Sequence, residues 1–188
     1  MNRDNFLKQI NHKQLMQAVF QSQLLFLFIA IFLSVFLFPS FSDWSKLFSY
    51  NIKEISYYGI LPALLIIAIN ILLKKFIPKE HLDDGGINEK LFKNSTVWDI
   101  FKIAFIVAIC EEVLFRGLIQ TTFGLIFASL IFALVHFRYL KKPVLLISIV
   151  LISFYLGYLY LLTGNLLVTM VAHFFVDFIL GLIIRFEK

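Results

Sequence analysis

Six long, nearly unbroken apolar stretches limit what this chain can become. They run at about Leu24–Phe38, Ile55–Leu73, Val97–Thr122, Phe123–Leu140, Val144–Leu162 and Leu166–Ile184. About 20 apolar residues carry a helix across the hydrocarbon core of a bilayer. A helix satisfies its backbone N–H and C=O groups within the segment, which lipid requires. The breaks hold Pro39, Pro78, Gly124, Pro143 and Gly164, the punctuation expected between helices. The pattern predicts an all-α, polytopic membrane bundle of about six transmembrane helices. Composition agrees: 60% of the 188 residues are hydrophobic and only 15% are charged. A soluble domain is roughly 45–50% apolar and about 25% charged. A soluble enzyme, a secreted disulfide scaffold and a disordered chain are therefore excluded. The lone cysteine, Cys110, has no partner for an internal disulfide.

The net charge of +5 reads as basic loops facing the cytosol, not as a nucleic-acid surface. With the N-terminus inside, the inner segments hold Arg3, Lys8, Lys13, Lys74, Lys75, Lys79, Lys90, Lys93, Arg138, Lys141, Lys142, Arg185 and Lys188. The outer segments hold Lys46 and Lys53. This bias predicts both termini on the cytoplasmic side. Residues 1–23 read as a polar cytoplasmic or interfacial segment. Residues 24–96 read as two transmembrane helices followed by a cytoplasmic loop. Trp44, Trp98 and Tyr139 fall near the expected interfaces, as an aromatic belt would place them.

Six polar groups stand where they are expensive. Glu111, Glu112 and Arg116 lie in the third span, His136 in the fourth, and His173 and Asp177 in the sixth. A charge at the centre of a membrane helix costs roughly 2.5–3.5 kcal/mol on the insertion scale. Such groups face the protein interior and mark function. Glu112 and Arg116 are four residues apart, so they share a helix face and can pair. Glu111 then points about 100° away. His173 and Asp177 have the same spacing, and a carboxylate beside an imidazole fixes its tautomer. Phe132, four residues before His136, can wall the histidine's face. With the hydrocarbon starting near Ile103, Glu111 sits about 12 Å deep, at a level where the other groups can meet it.

The segments Glu111-Glu112-Val113-Leu114-Phe115-Arg116, Phe132-Ala133-Leu134-Val135-His136 and His173-Phe174-Phe175-Val176-Asp177 fit the motifs EExxxR, FxxxH and HxxxN/D in order. The chain thereby resembles the CAAX protease and bacteriocin-processing family of intramembrane proteases. The resemblance covers about Val97–Ile184. It implies a four-helix catalytic core over residues 97–188 around a polar intramembrane cavity, in a bacterial cytoplasmic membrane. It also implies hydrolysis of a peptide bond in a membrane-associated or small peptide substrate. By position, Glu111 is the general base, and a carboxylate in low dielectric suits that task. Glu112 partners Arg116, His136 and His173 place the water or stabilise the oxyanion, and Asp177 orients His173.

Glu111, His136 and His173 also form the Glu-plus-two-His set of many zinc sites. They come from three separate helices, and no HExxH pair preforms a site. The preferred expectation is water activated by Glu111 with no required cofactor. A divalent metal such as zinc on those three residues is the alternative. Two other functions stay open: an inactive scaffold or regulator related to bacteriocin immunity, and a small transporter.

Overall fold

The computed structural model describes residues 10–187. Among them, all regular structure is helical. Helix α1 spans His12–Leu37 and opens with a capping box. The Asn11 side chain accepts from the Gln14 backbone N–H, and the Gln14 side chain returns the bond to the Asn11 N–H. Residues 12–23, expected as a cytoplasmic or interfacial segment, continue into the first apolar span as one helix. The rest of that expected segment, residues 1–9, lies outside the described residues. At 26 residues α1 is about 39 Å long, more than the roughly 30 Å of hydrocarbon. Its start projects beyond the core, where His12 Nε2 meets the Leu91 carbonyl at 3.2 Å and the Ser95 hydroxyl at 3.0 Å.

Helix α2 spans Ile52–Phe76. It carries a π-helical stretch at Ser56–Ile60, immediately before the turn that holds Pro62. Proline offers no N–H to the preceding turn, and the widened stretch lets the helix continue through it. Two short helices follow, α3 (Lys79–Leu82) and α4 (Ile87–Lys93). Helix α5 starts at Val97 with a second capping box, between Thr96 and Asp99. It is α-helical to Glu112, π-helical over Val113–Gln120, and closes with a turn at Thr121–Phe123. Asp99 and Lys102 pair at 2.7 Å in its first turns, which suits interfacial anchors.

The fourth expected span, Phe123–Leu140, is not one helix. Helix α6 covers only Leu125–Val135, about 16 Å, too short to cross. Gly124 turns into it with φ +85°, a conformation that favours glycine. At the other end the His136 backbone leaves helical geometry and a 3-10 turn, Phe137–Tyr139, takes over. Helices α7 (Pro143–Thr163) and α8 (Leu166–Phe186) complete the bundle. Four helices, α1, α2, α7 and α8, are long and apolar enough to cross a membrane. Helix α5 adds a charged rod among them. The all-helical membrane bundle is as expected, and four of its helices among the described residues meet the length and apolarity of a full crossing.

Side-chain bonds distinguish the two ends. At one, Glu187 reaches Lys74 at 3.0 Å, Arg138 reaches Asp84 at 3.4 Å, and Lys142 donates to the Glu80 carbonyl. At the other, Asn165 accepts from the Ser49 N–H and donates to the Ser49 carbonyl and to Glu54. Between them, α8 packs on α5, α2 and α7. Ala63, Ile66 and Ile67 of α2 meet Leu156, Leu159, Ala172 and Val176 in one buried cluster. Ala30 of α1 joins Leu114, Phe115, Leu118 and Phe132 in another. Leu24, Phe28, Phe36, Leu64, Ile147 and Leu161 are exposed instead. Lipid is the solvent that tolerates such a surface: this is an integral membrane protein.

Candidate active site

Glu111 and Glu112 stand where α5 changes from α- to π-helix. Short π segments concentrate at functional sites. The side chains of Glu111, Glu112 and Arg116 are all buried. Arg116 Nε lies 3.4 Å from Glu112 Oε2, an ion contact looser than an aligned hydrogen bond. The guanidinium also donates through Nη2 to the Ser153 carbonyl at 3.1 Å. Its plane covers the Phe132 ring, with 4.6 Å from Cζ to the ring centroid. The arginine thus ties α5 to α7 and α6 at once. Ser153 is fully buried and supplies this anchor.

Glu112 has more than one partner. His173 Nδ1 from α8 lies 2.9 Å from its Oε1. Asp177 Oδ2 lies 3.4 Å from the other ring nitrogen. Each ring nitrogen thus faces a carboxylate. The shorter contact belongs to Glu112. The pairing of Asp177 with His173 is present, but Glu112 holds the ring more closely.

His136 is positioned by its own helix end. Nδ1 lies 2.7 Å from the Phe132 carbonyl. A carbonyl only accepts, so Nδ1 carries the hydrogen, and Nε2 of the neutral ring is left with a free lone pair. The ring packs 4.7 Å from Phe132 and 5.8 Å from Tyr139, centroid to centroid. Phe132 also contacts His173, at 6.3 Å, and Phe115, at 4.9 Å. It therefore stands between the two histidines with Arg116 on its face. Tyr139, expected in the interfacial belt, packs against His136.

Glu111 faces another way, as the 100° rotation requires. Its Oε1 accepts from Gln23 Nε2 of α1 at 3.1 Å. Gln23 is buried and was invisible as a site residue because it falls one position before the expected start of the first span. A polar residue inside a longer helix was the available signal. A groove of about 440 Å³ between α1 and α5, walled by Phe20, Leu24, Phe101, Phe105 and Ile109, runs to Cys110 beside Glu111.

The six motif residues thus form two parts. Glu112, Arg116, His173 and Asp177 make one connected cluster, with His136 joined to it through Phe132. Glu111 is held from α1. Among the described residues, no three His, Cys, Asp or Glu side chains converge to hold a metal ion. His173 has a carboxylate on each ring nitrogen, and Glu111 is engaged by Gln23. The set Glu111, His136 and His173 does not fit a three-ligand centre in this arrangement.

Fold and site together define a polytopic helical membrane protein with a buried carboxylate–arginine–histidine cluster. The family model for the type II CAAX prenyl endopeptidase Rce1-like proteins matches residues 93–179, which include all six motif residues. The uncharacterized protein YpbD of Bacillus subtilis (strain 168) is 43% identical over 166 residues, 88% of this chain and 88% of its own. The chain belongs to the Rce1-like, CAAX-type family of intramembrane proteases. No solved structure matches it.

Proposed function

We propose that this protein is an intramembrane endopeptidase that cleaves a membrane-associated or small peptide with a water activated by Glu111. The observation that carries this reading is the contrast between two adjacent buried carboxylates. Glu112 is committed to Arg116 and His173. Glu111 is held by a neutral amide alone, with no cation at ion-pair distance among the described residues. A carboxylate free of a cation can take up and release a proton, which a general base must do.

The step balances simply. Glu111 removes one proton from water as the oxygen adds to the scissile carbonyl carbon. His136, with Nε2 free, orients that water, and His173 stabilises the oxyanion electrostatically, as an imidazolium held between Glu112 and Asp177. As the C–N bond breaks, Glu111 returns the proton to the leaving amine. Asp177 limits the positions His173 can take. The reaction is proposed to need no metal. The apolar groove between α1 and α5, lined as far as Cys110, suits a substrate arriving from the lipid. The basic residues gathered at the end that holds His12 and Glu187 support a cytoplasmic-membrane protein with both termini in the cytosol.

The test compares membrane and secreted peptides from cells expressing the wild-type chain or Glu111→Gln. Peptides present only with the wild type are the expected products. Identical peptide sets, with both proteins inserted at equal levels, overturn the proposal. Flux of a solute through proteoliposomes without cleavage would favour a transporter instead.

A further inference from the structure

We propose that Gln23 is a positioning residue for Glu111, so that the first membrane helix completes the hydrolytic site; this rests on Glu111 being the base. The residue lies outside the matched segment 93–179, and 88 positions separate it from Glu111. Its contact is nonetheless buried and direct: Nε2 donates to Glu111 Oε1 at 3.1 Å. An ionised carboxylate only accepts, which sets the orientation of the amide.

The other end of that amide argues against a merely structural role. Gln23 Oε1 is buried and has no hydrogen-bond partner. Buried polar groups are nearly always paired, and a glutamine kept for helix packing would have both ends satisfied. Here the pairing is with Glu111 alone. The same helix presents Leu24, Leu25, Phe28, Ile31 and Phe32 outward, whereas the Gln23 amide is turned into the bundle. Fixing the base explains it. Without that donor, no other hydrogen bond among the described residues stops the Glu111 carboxylate from rotating among several rotamers. With one, it keeps a single orientation toward the water. Misplacing a reacting group by about 1 Å can cost roughly 100-fold in rate.

The experiment uses the full chain in detergent and in cells. Gln23→Met keeps length and removes the donor, and Gln23→Asn withdraws the amide by one methylene while staying polar. Product is read as the peptides whose appearance depends on Glu111. The carboxyl infrared band of Glu111 is assigned by difference from Glu111→Gln. Both Gln23 variants should shift that band and lower product formation by up to about 100-fold at normal protein levels. Wild-type product formation, or an unshifted band, in a folded variant overturns the proposal. If Glu111→Gln itself still yields product, the general-base reading fails first, and the shift of the band alone then reports whether the Gln23–Glu111 contact exists.

Discussion

His173 Nδ1 on α8 and Glu112 Oε1 on α5 lie 2.9 Å apart, and this contact joins residues 61 positions distant into one site. It places a histidine, two carboxylates and an arginine on facing helices. In lipid, helices gain little from the hydrophobic effect against one another. Polar contacts and close packing therefore carry much of the specificity with which α5 and α8 meet.

Breaking the Glu112–Arg116 pair should be costly. Both groups are almost fully buried, and removing one partner of such a pair typically costs about 3–5 kcal/mol. Glu112→Gln should lower the thermal unfolding temperature in detergent and abolish cleavage, because it releases Arg116 and His173 together. Glu112→Leu combined with Arg116→Met should recover much of the stability and none of the activity. Equal stability of single and double variants would show that the pair is not what anchors this region.

Much of this cluster was legible in the sequence, because charge inside an apolar helix is conspicuous. Spacing paired Glu112 with Arg116 and His173 with Asp177, and both contacts exist. What was hidden depends on tertiary approach. The Glu112–His173 contact follows from how α8 crosses α5, which no single-helix periodicity encodes. The π stretch after Glu112 also changes the helical register there. The shortness of α6 was masked because the apolar run Leu125–Val135 leads without proline or glycine into His136–Leu140 and so reads as one helix. The break comes from His136 bonding its own Phe132 carbonyl.

Gly157 should not tolerate a side chain. An added Cβ would lie 2.8 Å from Gln120 Oε1 and collide with Leu125 Cδ1. Gln120 also donates to the Gly157 carbonyl at 2.7 Å, so it has little freedom to withdraw. Gly157→Ala should destabilise the α5–α7 contact by about 1–3 kcal/mol, the usual range for overpacking. Unfolding in detergent reads this directly. Gly164→Ala, at a turn with open space but φ +59°, separates backbone strain from crowding.

A small acid-dependent term should come from Glu187. Its hydrogen bond to Lys74 holds the carboxyl below the ordinary 4.5. A depressed folded value means the contribution is present above pH about 4.5 and fades as pH falls through the folded value. The pair is substantially exposed, with side chains 38% and 41% accessible, so screening limits it to about 0–1 kcal/mol. Lys74→Met should therefore cost little at pH 7, less in high salt, and progressively less as pH falls through the lowered value of Glu187.

The two histidines should separate by their effects. His173 is buried and bonded to Glu112. His173→Ala therefore removes a buried partner as well as a catalytic group, and should lower both stability and cleavage. His136 is only partly buried, and its bond to Phe132 stays within one chain turn. Its removal leaves the Glu112–Arg116 pair intact. His136→Ala should abolish cleavage while shifting the unfolding temperature much less than His173→Ala does. Cleavage by His136→Ala at the wild-type rate would remove His136 from the mechanism and leave Glu111 and His173 to carry it.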